Sequence, residues 1–205
     1  MSFSLIRDED LIRVNHSGKV VDGGRNRLLN RAAYAIHAQI HKARPDVMCA
    51  VHSHTVYGRA FSATGRTLDM ISQDFCTFYK DHVLYPNFAG LVLAEEEGQH
   101  IAAALGPHKA AILGNHGLLT VGVTIEAAVY YFVTLEGLCK SQLAADASAA
   151  ATGRPLITIG DEEAADTYAA VGQPDGGYFG GLPLFQLGER DFGESTYLGR
   201  GLEPL

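Results

Sequence analysis

Short apolar runs, closed by glycine, proline or polar clusters, alternate along this chain with stretches whose apolar positions recur every three or four residues. Residues 11–21, "LIRVNHSGKVV", predict two β segments joined by a turn at Ser17-Gly18. Residues 31–43, "RAAYAIHAQIHKA", set Ala33, Ile36 and Ile40 at helical spacing, with Asn30 placed to cap the first turn. Arg44-Pro45-Asp46 then ends the helix, because the residue before a proline is pushed out of the α region. "VMCAVH" (47–52) shows no polar alternation, which predicts a strand covered on both faces. A helix is expected over 55–63, closed by Gly65, and residues 74–90, "DFCTFYKDHVLYPNFAG", read as an irregular aromatic segment. "LVL" (91–93) predicts a short strand, and "EEEGQHIAAAL" a helix whose acidic start suits the macrodipole. "AAIL" and "LLTVG" predict strands on either side of "GNHG". The longest helix is expected after Thr124, ending near Ala151 before Gly153-Arg154-Pro155. One short helix follows near 161–171, and the Gly-rich tail from about residue 172 is expected to be irregular. No repeat or internal boundary shows, so residues 1–205 are read as a single domain.

Composition narrows this picture. The chain has 205 residues, 47% apolar and 19% charged, with a net charge of −7, enough to bury a full core in one domain. Lysine and arginine form no cluster, which argues against a nucleic-acid partner. The apolar runs fall short of the ~20 residues a membrane span needs. "MSFSLIRDED" lacks a basic stretch followed by an apolar one, so no signal peptide is expected. Cys49, Cys76 and Cys139 are odd in number, widely spaced and set in apolar contexts. They predict reduced core thiols in a cytoplasmic protein.

The chemistry concentrates at strand ends. In a strand, residues i and i+2 point the same way. His52 and His54, at the end of "VMCAVHSH", should therefore present two imidazoles side by side, a common nucleus for Zn²⁺, Fe²⁺ or Mn²⁺. His116 sits in "GNHG", where Gly114 and Gly117 permit positive φ and close backbone approach. Such a turn is also ordinary chemistry for a hairpin tip. Three histidines at the ends of apolar strands, however, can form a facial site with coordination positions open to substrate, the mark of a catalytic metal.

"ARPDVMCAVHSHTVYGRAFSATGR", "ILGNHGLLTVG" and the Ala/Leu-rich helix after them resemble the class II aldolase/adducin family over nearly the whole chain. The resemblance implies a three-layer α/β/α domain on a central, largely antiparallel sheet, usually assembled as a homotetramer. It implies His52, His54 and His116 as ligands of a divalent metal, with Zn²⁺ expected first and Mn²⁺, Fe²⁺ or Co²⁺ also accepted by three imidazoles. Family members include sugar-phosphate aldolases, an epimerase, decarboxylases and iron-dependent oxygenases. Adducin keeps the fold without known chemistry.

Two departures from the family pattern stand out. The aldolases open the helix before the H-x-H strand with Ser-Ser-Glu, whose Glu is the acid/base and whose serines hold phosphate. Counted back from His52, those places are taken by Arg31, Ala32 and Ala33. The chain also starts partway into the family domain. Candidates for the missing acid are His37, one turn after Ala33 on the same helical face, and Asp74 and Tyr79 in "SQDFCTFYKDH". That segment is where family members bring a neighbouring subunit's residues over the metal. Asp74 could move a proton or hold an imidazole N–H. His82 is a weaker candidate there, and His41, beside Lys42 at the helix end, is expected to be solvated.

The sequence thus predicts a metal-dependent lyase acting on a small-molecule carbonyl or hydroxy-acid substrate, by aldol cleavage or decarboxylation. Loss of the serines and the Glu turns the expectation away from phosphorylated sugars. The alternatives are a non-haem iron(II) oxygenase on the same fold and a non-catalytic adducin-like scaffold. The aromatic 74–90 segment, too apolar for a free loop, predicts a homo-oligomer.

Overall fold

The computed structural model describes residues 6–88, 90 and 95–192. An N-terminal hairpin pairs β1 (Ile12–Val14) antiparallel to β2 (Val20–Gly23), and the Tyr34 hydroxyl donates to the Asn15 carbonyl to tie it to the helix that follows. That helix, α1 (Arg31–Ala43), starts on the Asn30 side chain, which accepts from the Ala33 amide. Then come β3 (Cys49–Ser53), α2 (Val56–Ser62), a 3-10 helix (Gln73–Phe78), β4 (His82–Tyr85) and α3 (Glu95–Leu105). β5 (Ala110–Leu113), β6 (Gly117–Gly122), α4 (Ile125–Thr152), α5 (Asp161–Val171) and α6 (Pro174–Phe192) follow within the described residues.

The central sheet runs β3-β6-β5-β4. Its β3/β6 and β6/β5 pairs are antiparallel and its β5/β4 pair is parallel. Strand alternation sorts the core into two layers. Ala111, Leu113, Leu119, Val121 and Tyr85 pack with Ile36 and Ile40 of α1 and Ile101 and Leu105 of α3. Ala110, Ile112 and Leu118 pack on the other face with Phe61, Phe75 and Phe78 and with Tyr131, Leu135 and Cys139 of α4. Both faces are covered, giving the expected α/β/α order. Among the described residues, no helix is long and apolar enough to cross a membrane.

Two expectations are corrected. The 74–90 segment is not irregular throughout: it holds the 3-10 helix and β4, an edge strand parallel to β5. "HVLY" divides its side chains between both cores, Val83 and Tyr85 to one and Leu84 to the other, so it shows no polar alternation to mark it. Nor is the tail irregular over 174–192, where α6 runs with Pro183 and five glycines inside it; the rest of that expectation lies outside the described residues. Each glycine costs about 1 kcal/mol against alanine in a helix, so local propensity argues against this helix and packing must hold it. The glycines let α6 lie directly on α4: a Cβ at Gly177 would fall 2.4 Å from Tyr131 Oη, and one at Gly181 2.4 Å from the Glu126 carbonyl. The strand expected at 91–93 lies outside the described residues.

The end of the sheet away from the histidine motifs is held by polar contacts. Lys109 is only 7% exposed, pairs with Asp81 at 3.1 Å, donates to the Gly172 carbonyl and lies over the Tyr131 and Tyr168 rings. Tyr168 donates to the same Asp81 at 2.6 Å.

His82 belongs to this structural set. Its Nδ1–H donates to the Phe78 carbonyl at 2.7 Å, which leaves Nε2 to accept from the Leu68 amide at 3.0 Å. A second ring proton would face an N–H donor, and burial lowers the pKa of His82 from its ordinary 6.5. Its contribution is therefore complete above the ordinary histidine range and is lost as pH falls toward the folded-state pKa. Between about pH 7.5 and about pH 5, the melting temperature of His82→Gln should fall less than that of the parent protein. Every other group is common to both proteins and cancels, so parallel slopes would refute the role given to His82.

Candidate metal centre

The three histidine motifs meet because of strand pairing. β3 runs antiparallel to β6 with Ser53 opposite Leu118, so the end of β3 lies beside the start of β6 and the turn that precedes it. In that turn Asn115 has φ 54°, in the left-handed region that asparagine tolerates. The flanking glycines are there for space: a Cβ at Gly114 would lie 2.8 Å from the Pro86 carbonyl, and one at Gly117 2.6 Å from the Ser53 carbonyl. The hairpin thus presses His116 onto the β3 end.

The His52, His54 and His116 rings gather with centroids 4.7 to 5.2 Å apart and planes 69° to 77° from one another. One nitrogen from each lies within 4.8 Å of the others. His52 Nδ1–H donates to the Leu118 carbonyl at 2.8 Å. A carbonyl can only accept, so Nδ1 carries the hydrogen and Nε2 keeps its lone pair free, the tautomer an Nε2 ligand requires. Burial lowers the His52 pKa. Burial first, and then the neighbouring His52 and His54 rings, holds His116 down at about 4. Imidazoles whose nitrogens converge in this way fit a divalent cation, which takes its histidine ligands deprotonated.

His41 near the end of α1 bonds the Val47 carbonyl just before β3, and His37, one turn earlier in the helix, interacts with His52 near the end of β3. Helix α1 therefore runs back along the strand, and its start lies toward the histidine end of the sheet. Arg31 is exposed there, and Ala32 and Ala33 are half-buried. His37, half-buried one turn on, has its pKa lowered to about 4, by burial first and then by the charge it would share with His52 and His41. It is therefore an electrostatic neighbour of the cluster. His41 is exposed and bonds the Val47 carbonyl at 3.1 Å.

Asp74 and Tyr79 are placed otherwise. Asp74 is exposed in the first turn of the 3-10 helix and does not join the ligand group. Tyr79 closes that helix, under Lys80, and lines an open cavity of about 440 Å³ with Asp81, His108 and Tyr168. β4 begins just after it, opposite Ala110 at the start of β5, whereas His116 follows the end of β5. Tyr79 thus stands at the far end of the sheet from the histidines of its own chain. Phe88, not singled out in the sequence, lies closer: it is 55% exposed and its ring centroid is 6.0 Å from that of His116. A phenylalanine after "YPN" carries no pattern that could have marked it.

Residues 1–143 match the family described as Class II Aldolase and Adducin N-terminal domain. Over 154 residues the chain is 51% identical to the 4-hydroxy-3-prenylphenylpyruvate oxygenase/4-hydroxy-3-prenylbenzoate synthase of Streptomyces roseochromogenus subsp. oscitans, covering 75% of this chain and 55% of that protein. Over 147 residues it is 49% identical to Decarboxylase NovR of Streptomyces niveus, covering 71% and 54%. The chain therefore spans about half the length of these curated relatives. Among solved structures, L-fuculose 1-phosphate aldolase from Glaciozyma antarctica PI12 superposes with a TM-score of 0.84 at 42% identity, covering 94% of this chain and 73% of that one.

Proposed function

The chain belongs to the class II aldolase and adducin family, and on that premise we propose that it is a divalent-metal-dependent lyase acting on a small carbonyl or hydroxy-acid substrate. The observation that carries this reading is the convergence of three imidazole nitrogens, one with its tautomer set by the Leu118 carbonyl. His52, His54 and His116 would hold the cation, with Zn²⁺ first and Mn²⁺, Fe²⁺ or Co²⁺ within the range of the donor set. A divalent cation in such a site supplies Lewis-acid polarisation of a carbonyl or hydroxyl oxygen.

The remaining roles belong to side chains. Leu118 fixes the His52 ring through its carbonyl. The Ala33 methyl, at the place the family's aldolases give to glutamate, can neither take nor return a proton. Decarboxylation needs no deprotonated hydroxyl, only a later proton donor; His37 on the same helix is the group at hand, and since burial keeps it neutral it would relay a proton from solvent, not store one. Phe88 offers an apolar wall beside His116, suited to an aromatic or apolar substrate better than to a phosphate. A relative named as a decarboxylase and another named as an oxygenase and synthase support a carboxylate or aromatic hydroxy-acid substrate. Any part played by Asp74 or Tyr79 falls to a neighbouring subunit of a homo-oligomer, a tetramer in this reading. A monomeric mass by light scattering would remove both from the site. The location proposed is cytoplasmic, in keeping with three free thiols.

The name of the 51% identical relative also favours a second reading, an iron(II) oxygenase on the same three histidines. Elemental analysis of protein purified without chelators, followed by turnover of 2-oxo and aromatic hydroxy acids in an oxygen electrode, separates the two. Zinc or manganese with turnover in the absence of O₂ supports the lyase. Iron with O₂ consumption matching product replaces it with the oxygenase. Protein that neither retains nor takes up a divalent metal, and turns over nothing, is a scaffold.

A further inference from the structure

His54 lies just beyond the strand ladder, because β3 ends at Ser53. The next fixed point is Thr55, the residue that opens α2. A helix start leaves backbone N–H groups without partners, and a threonine there normally accepts one of them. Thr55 does not. Its hydroxyl instead donates to Glu136 Oε2 at 2.5 Å, and Glu136 does the capping from the middle of α4. Oε2 also accepts from the Gly58 amide at 2.7 Å, and Oε1 accepts from the Tyr57 amide at 3.0 Å. One carboxylate thus binds three donors at the residues just after His54, with a charge favourable at a helix N-terminus.

The same clamp reaches His52. A Cβ at Gly58 would lie 2.6 Å from Leu118 Cγ, so the first turn of α2 is seated on the residue whose carbonyl holds the His52 ring. Shifting α2 would move the His54 backbone and disturb the Leu118 contact together. A purely local cap could have been supplied by Thr55 itself. Recruiting a carboxylate from α4 instead locks α2, the end of β3 and α4 into one unit.

We propose that Glu136 is a positioning residue of the three-histidine centre, holding His54 through Thr55 and the start of α2. This rests on the reading of the histidines as metal ligands. The test is Co²⁺ binding to the full chain, with affinity taken from competition against a chromophoric chelator and geometry from the Co²⁺ visible spectrum. It is run on the parent protein, Glu136→Gln and Thr55→Val, beside the melting temperature of each without metal. Glu136→Gln places an amide N–H₂ against backbone donors, and should weaken Co²⁺ binding by up to about 10-fold, the low end of what losing a partner bonded directly to a ligand costs, with an altered spectrum. Thr55→Val removes one hydroxyl and leaves the carboxylate and its two amide bonds. It should fold whatever Glu136→Gln does, and weaken binding by a smaller factor in the same direction. A lower melting temperature with parental affinity and spectrum in the folded variants would make Glu136 a stability cap alone and overturn the proposal. If the parent protein itself binds no Co²⁺, the metal reading falls and this proposal with it.

Discussion

Replacing His54 by alanine should abolish tight divalent-metal binding and the activity that depends on it, while leaving the fold intact. His54 is the exposed member of the trio, so its removal opens no core cavity. Surface substitutions of that kind usually change stability by no more than about 0.5 kcal/mol. His52 and His116 are more deeply set, and alanine at either place would mix loss of a ligand with loss of packing. Losing a partner behind a ligand costs about 10–100-fold in metal affinity, and losing one of three ligands should cost more than that. A second readout does not involve turnover. A ligand present at 100 times its dissociation constant stabilises the folded state by about 2.7 kcal/mol, so added Zn²⁺ should raise the melting temperature of the parent protein and not that of His54→Ala. If the variant kept parental metal content and the same thermal response, the three-histidine centre would be wrong.

The site was legible in the sequence to the extent that strand pairing could be inferred. "VMCAVHSH" and "ILGNHG" announce strand ends with imidazoles, and the antiparallel β3/β6 register does the rest. Asn30 and Thr124 accept from amides at the starts of α1 and α4, as their residue types suggest. What was hidden depends on contacts made at a distance. The four residues of β4 gave no periodic signal, and without that strand nothing in the sequence fixes its direction. Its parallel pairing with β5 sends Tyr79 to the end of the sheet away from His116. The glycines of α6 read as loop until Tyr131 and Glu126 of α4 are seen to fill the space where side chains would stand. Glu136 is an ordinary glutamate on an Ala/Leu-rich helix until α2 is found against it.

The protein should be a poor sugar-phosphate aldolase, even though it superposes well on a structure named L-fuculose 1-phosphate aldolase. Such an enzyme must grip a dianionic phosphate, move a proton beside the metal and return it. The start of α1, at the histidine end of the sheet, offers Arg31, Ala32 and Ala33 for those tasks. Arg31 is the strongest objection, since a guanidinium binds phosphate well, but it is exposed. The methyl of Ala33 moves no proton. A positioned acid or base contributes about 10²–10⁴-fold, so turnover of fuculose- and rhamnulose-type phosphates with added Zn²⁺ or Mn²⁺ should lie at least about 10²-fold below that of an accepted hydroxy or 2-oxo acid. Installing Ala33→Glu should raise the sugar-phosphate rate, because it returns a carboxylate to the place that lacks one. It should not improve decarboxylation, which needs no such base. Two outcomes would sink the argument: an aldolase kcat in the ordinary enzymatic range of about 1–10³ s⁻¹ for the unmodified protein, or an Ala33→Glu variant that binds metal normally and gains nothing on sugar phosphates.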